Sequence, residues 1–137
     1  MKHMLFFALL LISFNAVSQV TFNEDKNLFQ YEFTEQTINY STDIKEIKLI
    51  ELGFDEIKKI DNVVYGKSFF TKMIYGSAME IHYTIKFENE KIIFSNFKIN
   101  DVRYGRVALE ELKKTAQKKW INEIDSRIPD VIRKLNN

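Results

Sequence analysis

The chain has 137 residues, with 20 basic and 19 acidic side chains, two histidines and no cysteine. That length fits a single domain. The lack of cysteine excludes disulfides, thiolate nucleophiles and cysteine-based zinc sites. The balanced charge argues against a nucleic-acid partner, because proteins that neutralise phosphates carry a marked basic excess.

The first 18 residues have the pattern of a secretory signal peptide. Lys2 provides a positive head, Met4–Ile12 an apolar core, and Ala16 and Ser18 the small residues that precede a cleavage site. The apolar core is too short to cross a bilayer, which takes about 20 residues. We therefore predict cleavage after Ser18 and a single domain of residues 19–137 that is periplasmic or secreted and has no membrane span. Without the leader, 19 basic and 19 acidic side chains remain, so the mature chain is neutral.

The mature chain opens with a polar stretch, Val20–Asn27, for which the sequence predicts no regular structure. Phe29, Tyr31 and Phe33 then alternate with polar residues. This period of two predicts a first strand.

A helix is predicted after the first strand. The Ser41-Thr42-Asp43 cluster offers N-cap side chains, with Glu46 three residues beyond Asp43, and Gly53 suits a helix end. Four apolar residues fall on one stripe at 3.6 residues per turn, which we expect to face the core: Ile44, Ile47, Ile50 and Phe54. Residues 55–62 are ambiguous between a longer helix and an irregular return.

Val63–Thr71 is rich in β-branched and aromatic residues and predicts the second strand. Gly66 within it is a candidate bulge. Tyr75-Gly76-Ser77 predicts a turn into the next strand.

The clearest strand of the sequence is Met79–Phe87, where apolar and polar residues alternate without interruption. Residues 88–91 predict a hairpin turn, and a return strand starts at Ile92. The apolar positions of that return strand shift by one residue, which predicts a bulge near Ser95-Asn96. Residues 100–107 are predicted to form a loop.

The last predicted element is a helix with an apolar stripe formed by Leu109, Leu112, Ala116, Trp120 and Ile124. Pro129 is expected to kink or restart it. Together the elements predict an α+β fold in which one antiparallel sheet of about four strands carries both helices on one face. The predicted order is β-α-β-β-β-α.

Four stretches carry a resemblance to a known family. They are the leader ending in Ser18-Gln19, the helix ending in Leu52-Gly53-Phe54, the Val-Val-Tyr-Gly-Lys-Ser strand at 63–68, and the hairpin at His82–Lys91. Together they resemble a family of small exported bacterial proteins that carry a domain of unknown function with a TBP-like (TATA-binding-protein-like) fold. The resemblance spans most of the mature chain. It implies a TBP-like fold and no catalytic residues.

His82 is the one histidine that follows the predicted cleavage site, and it shares the polar side of its strand with Glu80. A metal site takes three or four clustered ligands, which one histidine with scattered carboxylates does not supply. No phosphate-binding or dinucleotide-binding glycine motif is present. The sequence therefore predicts no cofactor, no metal and no catalytic residue, with a hydrolase based on His82 and Glu80 as one alternative.

Three of the four glycines follow a tyrosine, at Tyr65, Tyr75 and Tyr104. One interpretation is a binding pocket lined by these tyrosines together with Arg103 and Arg106, since tyrosine and arginine are frequent at binding hot spots. The other interpretation is a set of turns or bulges in which glycine is needed.

These patterns predict an exported, non-catalytic binding module for an unknown protein or small-molecule partner in the cell envelope. Its contact surface would be the polar face of the sheet or an edge strand. The alternative is a small-molecule binder with a pocket between the sheet and the helices, lined by Tyr65, Tyr75, Tyr104 and Arg106.

Overall fold

The computed structural model describes residues 19–34, 41–101 and 105–136. Seven described strands form one sheet: β1 (Val20–Asn23), β2 (Leu28–Thr34), β3 (Asp55–Ile60), β4 (Val63–Ile74), β5 (Ser77–Glu88), β6 (Lys91–Asp101) and β7 (Gly105–Ala108). Two α-helices accompany the sheet: α1 (Thr42–Glu51) and α2 (Lys114–Leu135). A 3₁₀ turn at Leu109–Glu111 leads into α2.

Every pairing in the sheet is antiparallel, and the strands lie in the order β1-β2-β6-β5-β4-β3. β7 pairs with β6 on the side that β2 also occupies. The pairing of β6 with β2 ends at Ser95, and the pairing of β6 with β7 begins at Lys98. Between these two points the register of β5 and β6 shifts, and Asn96 has a left-handed backbone with φ of 55°. This bulge confirms the one predicted near Ser95-Asn96.

Two tight turns organise the long strands. Asn89 and Glu90, between β5 and β6, have φ of 48° and 60°, and Tyr75 and Gly76, between β4 and β5, have φ of 48° and 77°. Left-handed backbone at both central positions is the turn geometry that matches the twist of a hairpin. Both predicted turns are confirmed.

One face of the sheet is dry, as the alternation in Met79–Phe87 predicted. Ile81, Tyr83, Ile85 and Phe87 are at most 3% exposed. Tyr83 stacks on Phe70 with ring centroids 4.6 Å apart, and burial raises the pKa of its hydroxyl to about 12. Both helices pack on this face, in agreement with the predicted α+β layers.

The predicted limits of α1 are confirmed, but the predicted orientation is wrong. Ser41 caps the helix by accepting a hydrogen bond from the Ile44 amide at 3.4 Å, and Gly53 follows the last turn with φ of 81°. The predicted core residues Ile44, Ile47 and Ile50 are 42%, 52% and 63% exposed. Leu49, on the other side of the helix, is the one residue of α1 that is fully buried.

Leu49 of α1 packs directly against Gly66 of β4. A Cβ at Gly66 would lie 3.1 Å from Leu49 Cδ1 and 3.3 Å from Phe54 Cδ2. The ladder between β4 and β5 runs through Gly66 without a shift. The ladder between β4 and β3 does shift opposite Gly66, between Asp55 and Lys58, so the bulge predicted at this position is present, with its extra residue on β3. The glycine also permits close approach of the helix to the strand.

The apolar stripe of α2 is confirmed at Trp120 and Ile124 and continues to the chain's end through Ile128, Ile132 and Leu135. The helix starts at Lys114, later than the stripe predicted, because Leu109–Glu111 forms a 3₁₀ turn. The helix also continues through Pro129.

Three polar contacts fasten α2 to the sheet. Lys72 lies 2.8 Å from Glu123, the Asp125 carboxylate accepts a hydrogen bond from the Val20 amide at 2.8 Å, and Arg127 donates to the Thr71 carbonyl at 2.9 Å. The Lys72 ammonium holds the pKa of Glu123 below its usual range by hydrogen bonding, with Arg127 contributing in the same direction.

The predicted count of about four strands is wrong, since the described residues alone form seven. β1 lies in the stretch Val20–Asn27 that was predicted to be loose, β3 lies in the ambiguous residues 55–62, and β7 lies in the predicted loop 100–107. These strands are short or mostly polar and lie at the sides of the sheet, so they bury little apolar surface and show little alternation. Among the described residues no helix has the length and apolar content that a membrane span requires.

Gly66→Val is expected to destabilise the fold by about 1–3 kcal/mol, because the added carbons must displace Leu49 or Phe54 in a packed core. Urea unfolding measures this change. Thr71→Val is the matched control, because it places the same side chain on the exposed side of the same strand, where a change within about 0.5 kcal/mol is expected. Equal stability of the two variants would contradict the close contact between α1 and β4.

Lys72→Met is expected to lower the free energy of unfolding by about 1 kcal/mol at pH 7. A lowered carboxylate pKa stabilises the folded state above the unfolded pKa of about 4.3, and that stabilisation disappears as the pH falls through the folded pKa. The difference between the wild type and the variant should therefore shrink below about pH 4.3. Lys118→Met, which changes an exposed lysine of α2, should show no such pH dependence.

Candidate functional site

The face of the sheet opposite the two helices is not covered by any described element, and we call it the open face. Alternation places on it the residues of β5 that lie between the buried ones, among them Glu80, His82 and Thr84. The ladders place Phe69 and Lys98 directly on either side of His82. Directly opposed side chains of an antiparallel pair have Cβ atoms about 4.5–5.5 Å apart, so these three residues form one row across the face.

Two large apolar side chains stand on the open face of β4. Phe69 is 44% exposed and Met73 is 64% exposed. They are four residues apart on one strand and therefore on the same side of it. Exposed apolar groups next to charged ones are the arrangement found at protein contact surfaces.

Glu80 and His82 form an ion pair or hydrogen bond with 2.9 Å between Oε1 and Nε2. The His82 ring also lies 5.2 Å from the Phe69 ring at an interplanar angle of 31°. The hydrogen bond from His82 holds the pKa of the Glu80 carboxyl below its usual range, and Asn100 and Arg106 act in the same direction. The imidazole is thus fixed between an aromatic ring and a carboxylate, which the alternation alone did not indicate.

A cleft of about 300 Å³ opens beside this row, at the bulge of β6. It is lined by Lys67, Ser68, His82, Tyr83, Thr84, Asn96, Lys98 and Arg106. The cleft lies where β6 has an extra residue and where the ladders to β2 and β7 leave a gap. We call it the bulge cleft.

The cations of the bulge cleft differ in how they are neutralised. Lys67 lies 2.7 Å from Glu56, and Arg106 contributes to the field that lowers the pKa of Glu80. In the described part of the chain, Lys98 has no carboxylate within ion-pair distance. The cleft therefore holds a cation that its surroundings do not neutralise.

Of the predicted pocket residues, Arg106 lines the bulge cleft. Tyr65 lines an adjoining cleft of about 230 Å³ with Glu56 and Lys58, and Tyr75 is fully exposed in the β4–β5 turn. The two tyrosines are ten positions apart along β4 and the turn that follows it, about 33 Å at 3.3 Å per residue, so the structure does not bring them together. Arg103 and Tyr104 lie outside the described residues.

A separate cleft of about 300 Å³ lies between the helices and the dry face of the sheet. Its apolar lining includes Leu52, Phe54, Phe69, Phe70 and Val131, and its charged lining includes Arg127. We call it the helix–sheet cleft. The predicted pocket between the sheet and the helices was assigned the wrong lining, because Tyr65 and Arg106 pair with Lys86 and Asn100 on the open face. The residues that do line each cleft come from elements far apart in the chain.

The described residues contain no group of three or more His, Asp or Glu side chains placed to hold a metal ion. The ionisable residues of the open face instead form pairs, such as Glu80 with His82 and Glu56 with Lys67. Such pairs can orient an imidazole or bind a polar group of a ligand.

No protein-family model matches the chain, and no curated protein matches it. Among solved structures, the crystal structure of a DUF4468 family protein from Bacteroides ovatus is similar, with a TM-score of 0.53 and 14% sequence identity. The similarity covers 86% of this chain and 91% of that chain. At that identity the likeness shows the fold alone: an α+β fold shared with a bacterial protein from a family of domains of unknown function.

Proposed function

We propose that the chain is an exported bacterial binding module with a TBP-like arrangement of sheet and helices, and that it binds a protein partner on the open face without catalysing a reaction. The single observation that carries the proposal is the position of Phe69 and Met73. Both are large, apolar and exposed on a face that no described element covers.

The surroundings of these two residues support a protein contact. Binding energy at protein interfaces concentrates in a few apolar or aromatic anchors, and a polar rim excludes water around them. Phe69 and Met73 would be the anchors. His82 and Lys98, which lie beside Phe69 in one row across the sheet, would belong to the polar rim. A rigid antiparallel sheet holds these side chains in place without the entropy cost of ordering a loop on binding.

The charges indicate the chemistry of the partner. Lys86 and Lys91 on the open face lie near the carboxylates of Glu88 and Glu32, whereas Lys98 has no such partner in the described residues. A partner with an apolar side chain beside an acidic group would complement Phe69 and Lys98. We therefore propose a protein segment of that composition.

The pattern of the leader supports export. The apolar core Met4–Ile12 and the small residues at Ala16 and Ser18 match a signal peptide. An exported module of this kind would meet its partner in the cell envelope or outside the cell.

Expression of the full chain in a bacterial host is expected to give a processed protein that begins at Gln19, which intact mass and N-terminal sequencing would show. Leu10→Arg places a charge in the apolar core of the leader and should block processing. An unprocessed wild-type chain, or processing that Leu10→Arg leaves unchanged, would contradict the proposed export.

The open face can be tested by crosslinking and then by substitution. A photoreactive amino acid at position 69 is expected to crosslink one defined partner in the native envelope, whereas the same group at Lys118 on α2 should not. With the purified partner, Phe69→Ala is expected to weaken binding by about 30-fold, since a hot-spot truncation costs about 2 kcal/mol.

Ile44→Ala is the matched control, because Ile44 on α1 is 42% exposed, as Phe69 is 44% exposed, but belongs to the helix side of the molecule. It should leave the affinity unchanged. Loss of binding with Ile44→Ala alone would contradict the proposal. If Val131→Arg abolished partner binding and Phe69→Ala did not, the ligand would lie in the helix–sheet cleft. If the protein turned over a substrate and His82→Ala abolished that activity, the protein would be an enzyme.

A further inference from the structure

We propose that the bulge cleft is a binding site for a single carboxylate group, held by Lys98 and Arg106 beside His82. The proposal deepens the proposed function and rests on it for the source of the carboxylate, which would be an acidic group of the partner. The site itself is defined by this chain's own residues.

The ladders place the cationic groups close enough to act on one small anion. Lys98 lies directly opposite His82, and Arg106 lies opposite Asn100, which is two residues from Lys98 on the same strand. Diagonal neighbours of this kind are about 7–8 Å apart at the backbone. Lysine and arginine side chains easily span that distance, so both can reach the same carboxylate.

The bulge provides the space and a neutral donor. Asn96, the residue with left-handed backbone, lines the cleft and carries a side-chain amide that can donate two hydrogen bonds. Thr84 lines the opposite side and adds a hydroxyl. Charge-assisted hydrogen bonds to carboxylates are about twice as strong as neutral ones, and the cleft offers both kinds.

The pairing of the cations that line the cleft favours a carboxylate over a phosphate. Lys67 is paired with Glu56 and Arg106 acts on Glu80, whereas Lys98 has no carboxylate partner among the described residues. A carboxylate neutralises one charge, whereas a phosphate group carries about −1.5 to −2 at pH 7. A carboxylate therefore matches the one unpaired cation of the lining, whereas a phosphate carries more negative charge than Lys98 balances.

The test is a titration of the ¹⁵N-labelled protein at pH 7 and constant ionic strength, followed by NMR. N-acetylglycine, which carries one carboxylate, is expected to give saturable shifts at Asn96 and His82. N-acetylglycinamide, its neutral counterpart, should give none. Inorganic phosphate should bind at least fivefold more weakly than N-acetylglycine.

Variants then assign the binding to the two cations. Lys98→Gln and Arg106→Gln are each expected to weaken N-acetylglycine binding at least tenfold, and both residues are exposed, so the fold should be retained. Lys118→Gln, which removes an exposed lysine from α2, should change nothing. Shifts that the two variants leave unchanged, tighter binding of phosphate, or no saturable shift would each overturn the proposal.

The test of the carboxylate site and the test of the proposed function can succeed or fail independently. If N-acetylglycine binds as expected but Phe69→Ala does not affect the partner, the carboxylate site stands and the proposed contact on the open face fails. If Phe69→Ala weakens partner binding and N-acetylglycine does not bind, the open face is the contact surface and the carboxylate site is overturned.

Discussion

The extra residue that β6 carries at Asn96 decides which side chains of that strand reach the core. Before the bulge Ile92 and Phe94 face the helices, and after it Phe97 and Ile99 do, with none of the four more than 5% exposed. In a regular strand the last two would point to the open face, because side chains alternate strictly. Burying two such residues stabilises the fold by about 3–6 kcal/mol, whereas a left-handed backbone at one non-glycine residue costs about 1–2 kcal/mol. The bulge is therefore strongly favoured once the strand pairs with β5.

The same bulge creates the cleft on the other side of the sheet. An extra residue bends its strand and interrupts the ladder, and here the interruption coincides with the gap between β2 and β7 on β6. The requirement that Phe97 reach the core thus opens a polar depression beside His82. Core packing and the candidate site depend on one backbone feature, and a substitution at Asn96 that restored regular pairing would alter both.

The sequence predicted the parts of the fold that depend on local patterns. The alternation in Met79–Phe87, the bulge near Asn96 and the two turns follow from side-chain periodicity and backbone preference alone. The orientation of α1 could not be predicted in this way. The apolar stripe in its sequence is formed by Ile44, Ile47 and Ile50, and that stripe alone indicates the wrong side of the helix as the buried one. The inward side of α1 packs against Gly66, a residue of a strand that the pattern within the helix does not contain.

The added strands and the site were harder to predict for a related reason. β3 reads Asp-Glu-Ile-Lys-Lys-Ile, and its extended form is imposed by pairing with β4 rather than by its own composition. The site depends likewise on cross-strand neighbours: Glu80 and His82 were visible as neighbours on one strand, but Phe69, Lys98 and Arg106 join them only through the register of four strands. Spacing along the chain contains no information on that register until the hairpins are fixed.

The nearly balanced charge of the chain, +1 in total, and the positive character of the bulge cleft are compatible, because charge acts locally. Screening limits the interaction of exposed charges to about 8–10 Å at physiological ionic strength. Within that distance Lys86 and Lys91 are balanced by Glu88 and Glu32, and Lys98 is not balanced. A polyanion such as DNA responds to the summed charge over many residues, and that sum is only +1 here. A ligand with one negative charge responds to a few residues only, so the composition that argues against a nucleic acid leaves room for a single carboxylate.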